Sequence, residues 1–306
     1  MHTLKRLKRP FISFAPILLS LPKSHNGPNE DYAGAAGNKI AISDGTGSSI
    51  YPEILSRLLV KKALEDEPPW TDPTGLEDWL SGVRADWQVL VESEGPLGVV
   101  AQIKARRGSH ATLCVLRFES LSLSTTPMAR YTVSAIGDSI FVHVRRGQIV
   151  TAFPLTRSEE FGTTPPLLST DREYTRQTFP ASRSQTGWFL DGDSFLLMTD
   201  ALGKWFLTEH EVGRKPWEML VGIKKTQFAL NVNTWRRHGA LELDDTTLVY
   251  GTVKFELGGD KEVGHEPVFL EEDPPTIALQ GPDANTSGSS SEKAGSHEPM
   301  AAKAST

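Results

Sequence analysis

Four strand-like stretches in a row constrain this chain more than any other feature: HATLCVLRFE (110–119), RYTVSAIG (130–137), SIFVHVRRG (139–147) and QIVTAFP (148–154). Each is a short apolar run rich in β-branched and aromatic residues, the composition of a strand. Arg145-Arg146-Gly147-Gln148 reads as the tight turn of a hairpin. Helical periodicity precedes this block. In PEILSRLLVKKAL (52–64), Ile54, Leu55, Leu58, Leu59 and Ala63 fall on one side. GLEDWLSGVRADWQVLV (75–91) and GPLGVVAQIKARR (95–107) read as further helices. A loop rich in Pro, Ser and Thr (154–186) leads to the strands GWFLD and SFLLMTD. Helices over about 201–222 and 226–238 follow, and then a last strand, TTLVYGTVKFEL (246–257). Clustered strands with helices grouped between them predict an α+β sandwich and not alternating βαβ units.

The two ends differ from this pattern. MHTLKRLKRPFISFAPILLSLPKS sets basic residues before an apolar run, the order of a secretory signal. Pro10, Pro16 and the lack of an A-x-A-like cleavage site favour a first β-strand instead, and the run is too short to span a bilayer. From residue 258 onward Gly, Ser, Pro and Glu dominate, a composition that cannot bury enough surface to offset ordering entropy. The expected organisation is a basic extension over 1–10, one domain over 11–257 and a disordered tail over 258–306. PVFL (267–270) is the one tail stretch suited to docking, and deletion of the tail is expected to leave folding intact.

A net charge of −6 provides no basic footprint for nucleic acid. The single cysteine, Cys114, excludes an internal disulfide framework and fits a reducing, cytoplasmic compartment. It lies in an apolar strand pattern and reads as core. The chain has no G-x-S-x-G elbow, Walker A loop or H-E-x-x-H.

Acidic residues instead sit beside predicted strand ends at four separated places: Glu30-Asp31, Asp44, Asp200 and Asp244-Asp245. Each has an ordinary alternative. Asp44 suits the turn in SDGTG, Asp200 suits a helix N-cap, and the acidic pairs suit solvated loops. Gathered at one sheet edge, such carboxylates cannot all ionise without cations to offset their repulsion. Hard oxygen donors without a matching His or Cys set favour Mg²⁺ or Mn²⁺ over zinc.

NED, SDG-x-G, GDSIFVHVRRG, GDSFLLMTDALGKWF and DDTTLVYGTV occur in that order over about residues 20–255. The series resembles the metal-dependent protein phosphatases of the PP2C type. GQIVTAFPLTRSEEFGTTPPLL and TDALGKWFLTEHEVGRKPWEML are similar to a bacterial branch of that family. The resemblance implies a four-layer α-β-β-α sandwich, with two central antiparallel β-sheets flanked by helices. It also implies a pair of Mg²⁺ or Mn²⁺ ions, with Asp44 as the bridging ligand and Gly45 contributing its carbonyl. Glu30, Asp200 and Asp244 would complete the ligand set, Asp31 would orient the attacking water, and Asp138 would be structural.

Three positions depart from the family pattern. Asn26 stands where the family carries a phosphate-gripping arginine, which leaves Lys23 and His25 as weaker candidates because lysine does not grip phosphate bidentately. The place of a third-metal aspartate falls near Ala105, and Thr46 replaces the usual residue after the Asp-Gly pair. The implied activity is hydrolysis of phosphoserine and phosphothreonine on proteins by a hydroxide bridging two metal ions. The implied partner is a phosphorylated protein, paired with a Ser/Thr kinase, with no nucleic acid and no membrane. Two alternatives stay open: a PP2C-like binding module with little turnover, and a phosphatase for small metabolites.

Overall fold

The predicted strands pair into two antiparallel sheets with helices on their outer faces. The structure is a computed structural model and describes residues 10–94, 107–122, 128–257 and 265–271. One sheet contains β1 (Pro10–Phe14), β2 (Ile17–Leu21), β8 (Ile140–Arg145), β9 (Gln148–Phe153), β12 (Ser194–Met198) and β13 (Thr246–Leu257). Its order is β1-β13-β12-β8-β9, with β2 also on β13. The other contains β3 (Asp31–Gly37), β4 (Lys39–Asp44), β6 (Leu113–Ser122), β7 (Met128–Ile136), β11 (Arg183–Phe189) and β14 (His265–Phe269). Its order is β11-β7-β6-β4-β3-β14. A small pair, β5 (His110–Ala111) and β10 (Leu168–Ser169), forms its own two-stranded sheet, and a bridge between Ala111 and Gly45 links it to the end of β4.

Three apolar clusters define the layers. Ile42, Leu116, Phe118, Phe141, Phe195 and Val249 meet between the sheets. Val115 and Ala41, one position away along the same strands, turn outward to Leu55 and Leu59 of α1 (Pro52–Glu65) and Trp79 of α2 (Pro73–Ser93). Ile140 and Val142, which flank Phe141, likewise turn outward toward α4 (Asp200–Glu211), α5 (Pro216–Leu220) and α6 (Lys225–Arg237). Successive strand residues face opposite sides, so central strands covered on both faces are apolar throughout. This is the expected four-layer α-β-β-α sandwich.

Local chemistry sets the boundaries. Arg146 (φ 50°) and Gly147 (φ 70°) form the two-residue turn between β8 and β9, a conformation that glycine adopts without strain. β1 and β2 both run along β13, as one strand interrupted at Pro16, whose nitrogen has no proton to donate. Of the helical face predicted in α1, Ile54, Leu55, Leu59 and Ala63 are buried and Leu58 packs against the same cluster.

Three expectations need correction. The helix expected over about 201–222 ends at Glu211 and restarts at Pro216, a residue suited to a first turn and not to a helix interior. The loop expected over 154–186 contains β10, the start of β11 and α3 (Arg172–Thr178), capped by the Asp171 side chain on the Glu173 N–H. The segment from 258 is not wholly outside the fold: β14 adds to the free edge of β3, and the Phe269 ring stacks on Tyr32 at 6.4 Å. Edge pairing and one aromatic anchor hold it there despite its composition. The helix expected over 95–107 lies outside the described residues except for Arg107, as do the expected extension before residue 10 and the tail beyond 271. Among the described residues no helix is long and apolar enough to cross a membrane.

Candidate active site

β3 and β4 pair so that Asp31, the first residue of one, stands directly opposite Asp44, the last residue of the other. Asp44 is fixed through Thr112: its N–H donates to the Thr112 hydroxyl (2.9 Å), and its carbonyl accepts from the Thr112 N–H (2.8 Å). The Gly45 N–H then donates to the Glu30 carbonyl at 3.1 Å. A side chain at Gly45 would meet Cβ and the carbonyl oxygen of Pro52 at 2.7 and 2.8 Å and the Ser56 hydroxyl at 2.8 Å. The glycine is therefore required for α1 to begin this close to the turn.

The opposite sheet supplies Thr199 and Asp200 at the end of β12. Thr199, not Asp200, is the N-cap residue of α4, and the Asp200 carboxylate accepts from the Ala201 N–H in the first turn. The Thr199 hydroxyl donates to Asp31 Oδ2 across the inter-sheet gap at 2.9 Å and accepts from the Thr247 N–H at 3.0 Å. The Asp44 and Asp200 carboxyls, one from each sheet, are electrostatic neighbours. Asp31 is 2 % exposed, and its Oδ1 is buried without a hydrogen-bond partner.

These carboxyls raise one another's affinity for protons. Burial, and then the charge of Asp245, push Asp31 well above the usual carboxylate range. Burial and the charges of Asp31 and Asp200 do the same to Asp44, and burial with Asp244 raises Asp200. Asp138, buried behind Asp200, is pushed up to about 7 by burial and that neighbour's charge. Among the described residues no lysine, arginine or histidine forms an ion pair with Asp31, Asp44 or Asp200.

Glu30 and Asp244 differ from that trio in having an ammonium partner. Lys23 Nζ donates to Glu30 Oε2 at 2.6 Å and to Asp244 Oδ1 at 3.0 Å, and lies 3.8 Å from Asp245 Oδ2. Burial raises Glu30 in spite of that ammonium. The buried Asp245 carboxylate accepts the N–H groups of Lys23 (2.6 Å) and Glu30 (2.8 Å), so it clamps the loop that carries both. Arg236 of α6 holds the same loop from the other side. Its guanidinium donates to the carbonyls of Leu21 and Pro22, both at 3.0 Å, to the Asp244 carbonyl and to the Thr246 hydroxyl.

All the acidic positions expected from the sequence thus gather at one end of the sandwich, but in two groups. As the side chains stand, no three acids among the described residues enclose a single point in the manner of a metal cage. The Asp31-Asp44-Asp200 group nevertheless suits a hard cation: its donors are all carboxylate oxygens, it has no ion-pair partner among the described residues, and one buried oxygen has no partner. The phosphate-gripping candidates fare differently. Asn26 and His25 are exposed, and Lys23 is engaged by the acids. Ala105 lies outside the described residues.

Sequence reasoning missed Thr112, Thr199 and Arg236, and it assigned Asp245 no role. Asp245 was visible as the second half of an acidic pair, and Thr199 as a capping residue type directly before Asp200. Nothing local marks Arg236, whose partners are up to 215 positions away.

No protein-family model matches the chain, and no curated protein does. Solved structures do. The Mycobacterium tuberculosis serine/threonine phosphatase PstP/Ppp is 18 % identical, covers 79 % of this chain and 99 % of its own, and superposes with a TM-score of 0.53. The catalytic domain of PstP in complex with two manganese ions is 19 % identical over 80 % of this chain and 100 % of its own, with a TM-score of 0.49. The photosystem II phosphatase PBCP is 15 % identical over 79 % and 99 %, with a TM-score of 0.48. With its two helix-flanked antiparallel sheets, the chain has a PP2C-like phosphatase fold.

Proposed function

We propose that this chain is a divalent-cation-dependent phosphatase acting on phosphoserine and phosphothreonine in proteins. One observation carries the proposal: three carboxyls, Asp31, Asp44 and Asp200, are brought together from two sheets with no ion-pair partner among the described residues, and Asp31 Oδ1 is left buried and unpartnered. Leaving a buried acceptor unsatisfied costs about 1–3 kcal/mol, so the arrangement calls for a ligand. Mg²⁺ or Mn²⁺ suits these oxygens. The residues that would hold it are Asp44 and Asp200, with Glu30, Asp244 and the Gly45 carbonyl beside them. When bound, the cation offsets charge on the phosphoryl oxygens and lowers the pKa of water.

The chain's own residues prepare the rest. Thr199 fixes one oxygen of Asp31 and leaves the other free to orient, and take a proton from, an attacking water. Thr112 holds Asp44 from the backbone, so its carboxylate keeps its place as charge moves. The partner on this reading is a phosphorylated protein, the counterpart of a Ser/Thr kinase.

A second reading has its own observation. No guanidinium occupies the position of Asn26, which is exposed and bonds through its N–H to the Ser24 hydroxyl. A domain that recognises a signalling partner without turnover has no need of one.

The deciding experiment is hydrolysis of p-nitrophenyl phosphate and a phosphothreonine peptide, with Mn²⁺, with EDTA, and with Asp200→Asn in parallel. Turnover that needs Mn²⁺ and is lost in the variant is expected. Mn²⁺ binding without turnover would replace the enzyme with the binding module.

A further inference from the structure

We propose that Lys23 is a built-in cation of the acidic cluster, filling the Glu30-Asp244 half so that the site takes one divalent ion and not two. This rests on the cation-dependent reading above and deepens it. The geometry separates the two halves. In one, the Asp31 carboxylate accepts from the Thr199 hydroxyl and the Asp200 carboxylate from the Ala201 N–H, and among the described residues Asp31, Asp44 and Asp200 have no ion pair. In the other, a single ammonium bridges Glu30 Oε2 at 2.6 Å and Asp244 Oδ1 at 3.0 Å, the distances of strong charge-assisted hydrogen bonds.

Lys23 is not a surface lysine that has merely wandered inward. Its N–H is tied to Asp245 Oδ1 at 2.6 Å, and the two residues before it are tied through their carbonyls to Arg236. The root of the side chain is therefore fixed at the cluster. Gly47 lies beside the pair: a Cβ there would crowd Glu30 Oε2 at 3.1 Å and sit at ordinary contact distance, 3.5 Å, from Lys23 Nζ. A divalent ion drawing on those same two carboxylates would meet a positive charge within hydrogen-bond range of both. Mutual repulsion leaves room for one of them.

The full-length protein, stripped with EDTA, is titrated with Mn²⁺ to millimolar concentration while free Mn²⁺ is followed by electron paramagnetic resonance. The unsubstituted protein is expected to take one ion per chain. Lys23→Arg keeps the charge and is also expected to take one, whereas Lys23→Met is expected to take two. Lys23→Gln repeats the test if the Met variant does not fold, as judged by circular dichroism. Two ions in the unsubstituted protein overturn the inference and leave the cation-dependent reading intact. One ion in a folded Lys23→Met or Lys23→Gln protein overturns the role of Lys23. No Mn²⁺ bound by any of the proteins overturns the cation-dependent reading, and this inference with it.

Discussion

The Thr199 hydroxyl, at the end of β12 in one sheet, donates to the Asp31 carboxylate, at the start of β3 in the other, at 2.9 Å. It is a buried polar link between two layers whose contact is mainly apolar. Its removal leaves a buried carboxyl with both oxygens unsatisfied. Thr199→Val is therefore expected to lower unfolding free energy by about 1–3 kcal/mol in urea, with Thr199→Ser close to the unsubstituted protein. Equal stability of the Val and Ser variants would show the link to be idle.

Asp44 tests the electrostatics from the other side. Without a cation it sits among like charges, so Asp44→Asn removes repulsion while keeping an isosteric hydrogen-bonding group. The metal-free variant is expected to be at least as stable as the unsubstituted chain. On the proposed function it also loses Mn²⁺-dependent hydrolysis and most of the Mn²⁺-induced rise in Tm. Differential scanning calorimetry with Mn²⁺ and with EDTA measures both stability effects.

The C-terminal strand gives a truncation series. Chains ending at Glu271 keep β14, the Tyr32-Phe269 stack and the Leu270 N–H bond to the Ala33 carbonyl at 3.0 Å. Chains ending at Leu257 lose all three. Burial of one aromatic side chain is worth about 1.5–3 kcal/mol, and Phe269 is only partly covered. The longer truncation is expected to match the full chain in urea, and the shorter to be less stable by about 1–2 kcal/mol.

Acid sensitivity has one identifiable source away from the site. Burial alone would raise Asp193, but hydrogen bonds from His143, Arg145 and the Leu190 N–H outweigh it and hold the carboxyl below its ordinary range. A depressed carboxyl contributes stability that is full above its unfolded value of about 4 and fades as pH falls through the folded value. Asp193→Asn is expected to cost about 3 kcal/mol at pH 7, the scale of breaking a buried ion pair. The difference from the unsubstituted protein should shrink below pH 4, as followed by thermal melts.

Legibility in the sequence tracks how local each determinant is. The β8–β9 turn and the buried face of α1 were readable because a few adjacent residues decide them. The gathering of Asp31, Asp44, Asp200 and Asp244 at one end followed from their places at strand ends, together with family resemblance. Their division into two groups was not readable, because it depends on where one flexible lysine goes. Arg236 and Thr112 were hidden for a related reason: they act on backbone groups, and a backbone group leaves no trace in residue identity. β14 was legible only as PVFL, a stretch suited to docking, because composition describes the average of a segment and hides a few residues that dock within it.

β13 is 12 residues long and pairs with β1 and β2 on one side and with β12 on the other. Asp244 and Asp245 directly precede it, so their position is set by the alignment of every neighbouring strand. A slip of two residues would keep the same faces inward, and apolar packing alone would discriminate against it weakly. It would, however, carry the two aspartates about 7 Å from the loop they clamp. The acidic cluster is thus a checkpoint on strand alignment: a chain that has paired out of step can bury its oily residues and still fail to assemble the cluster.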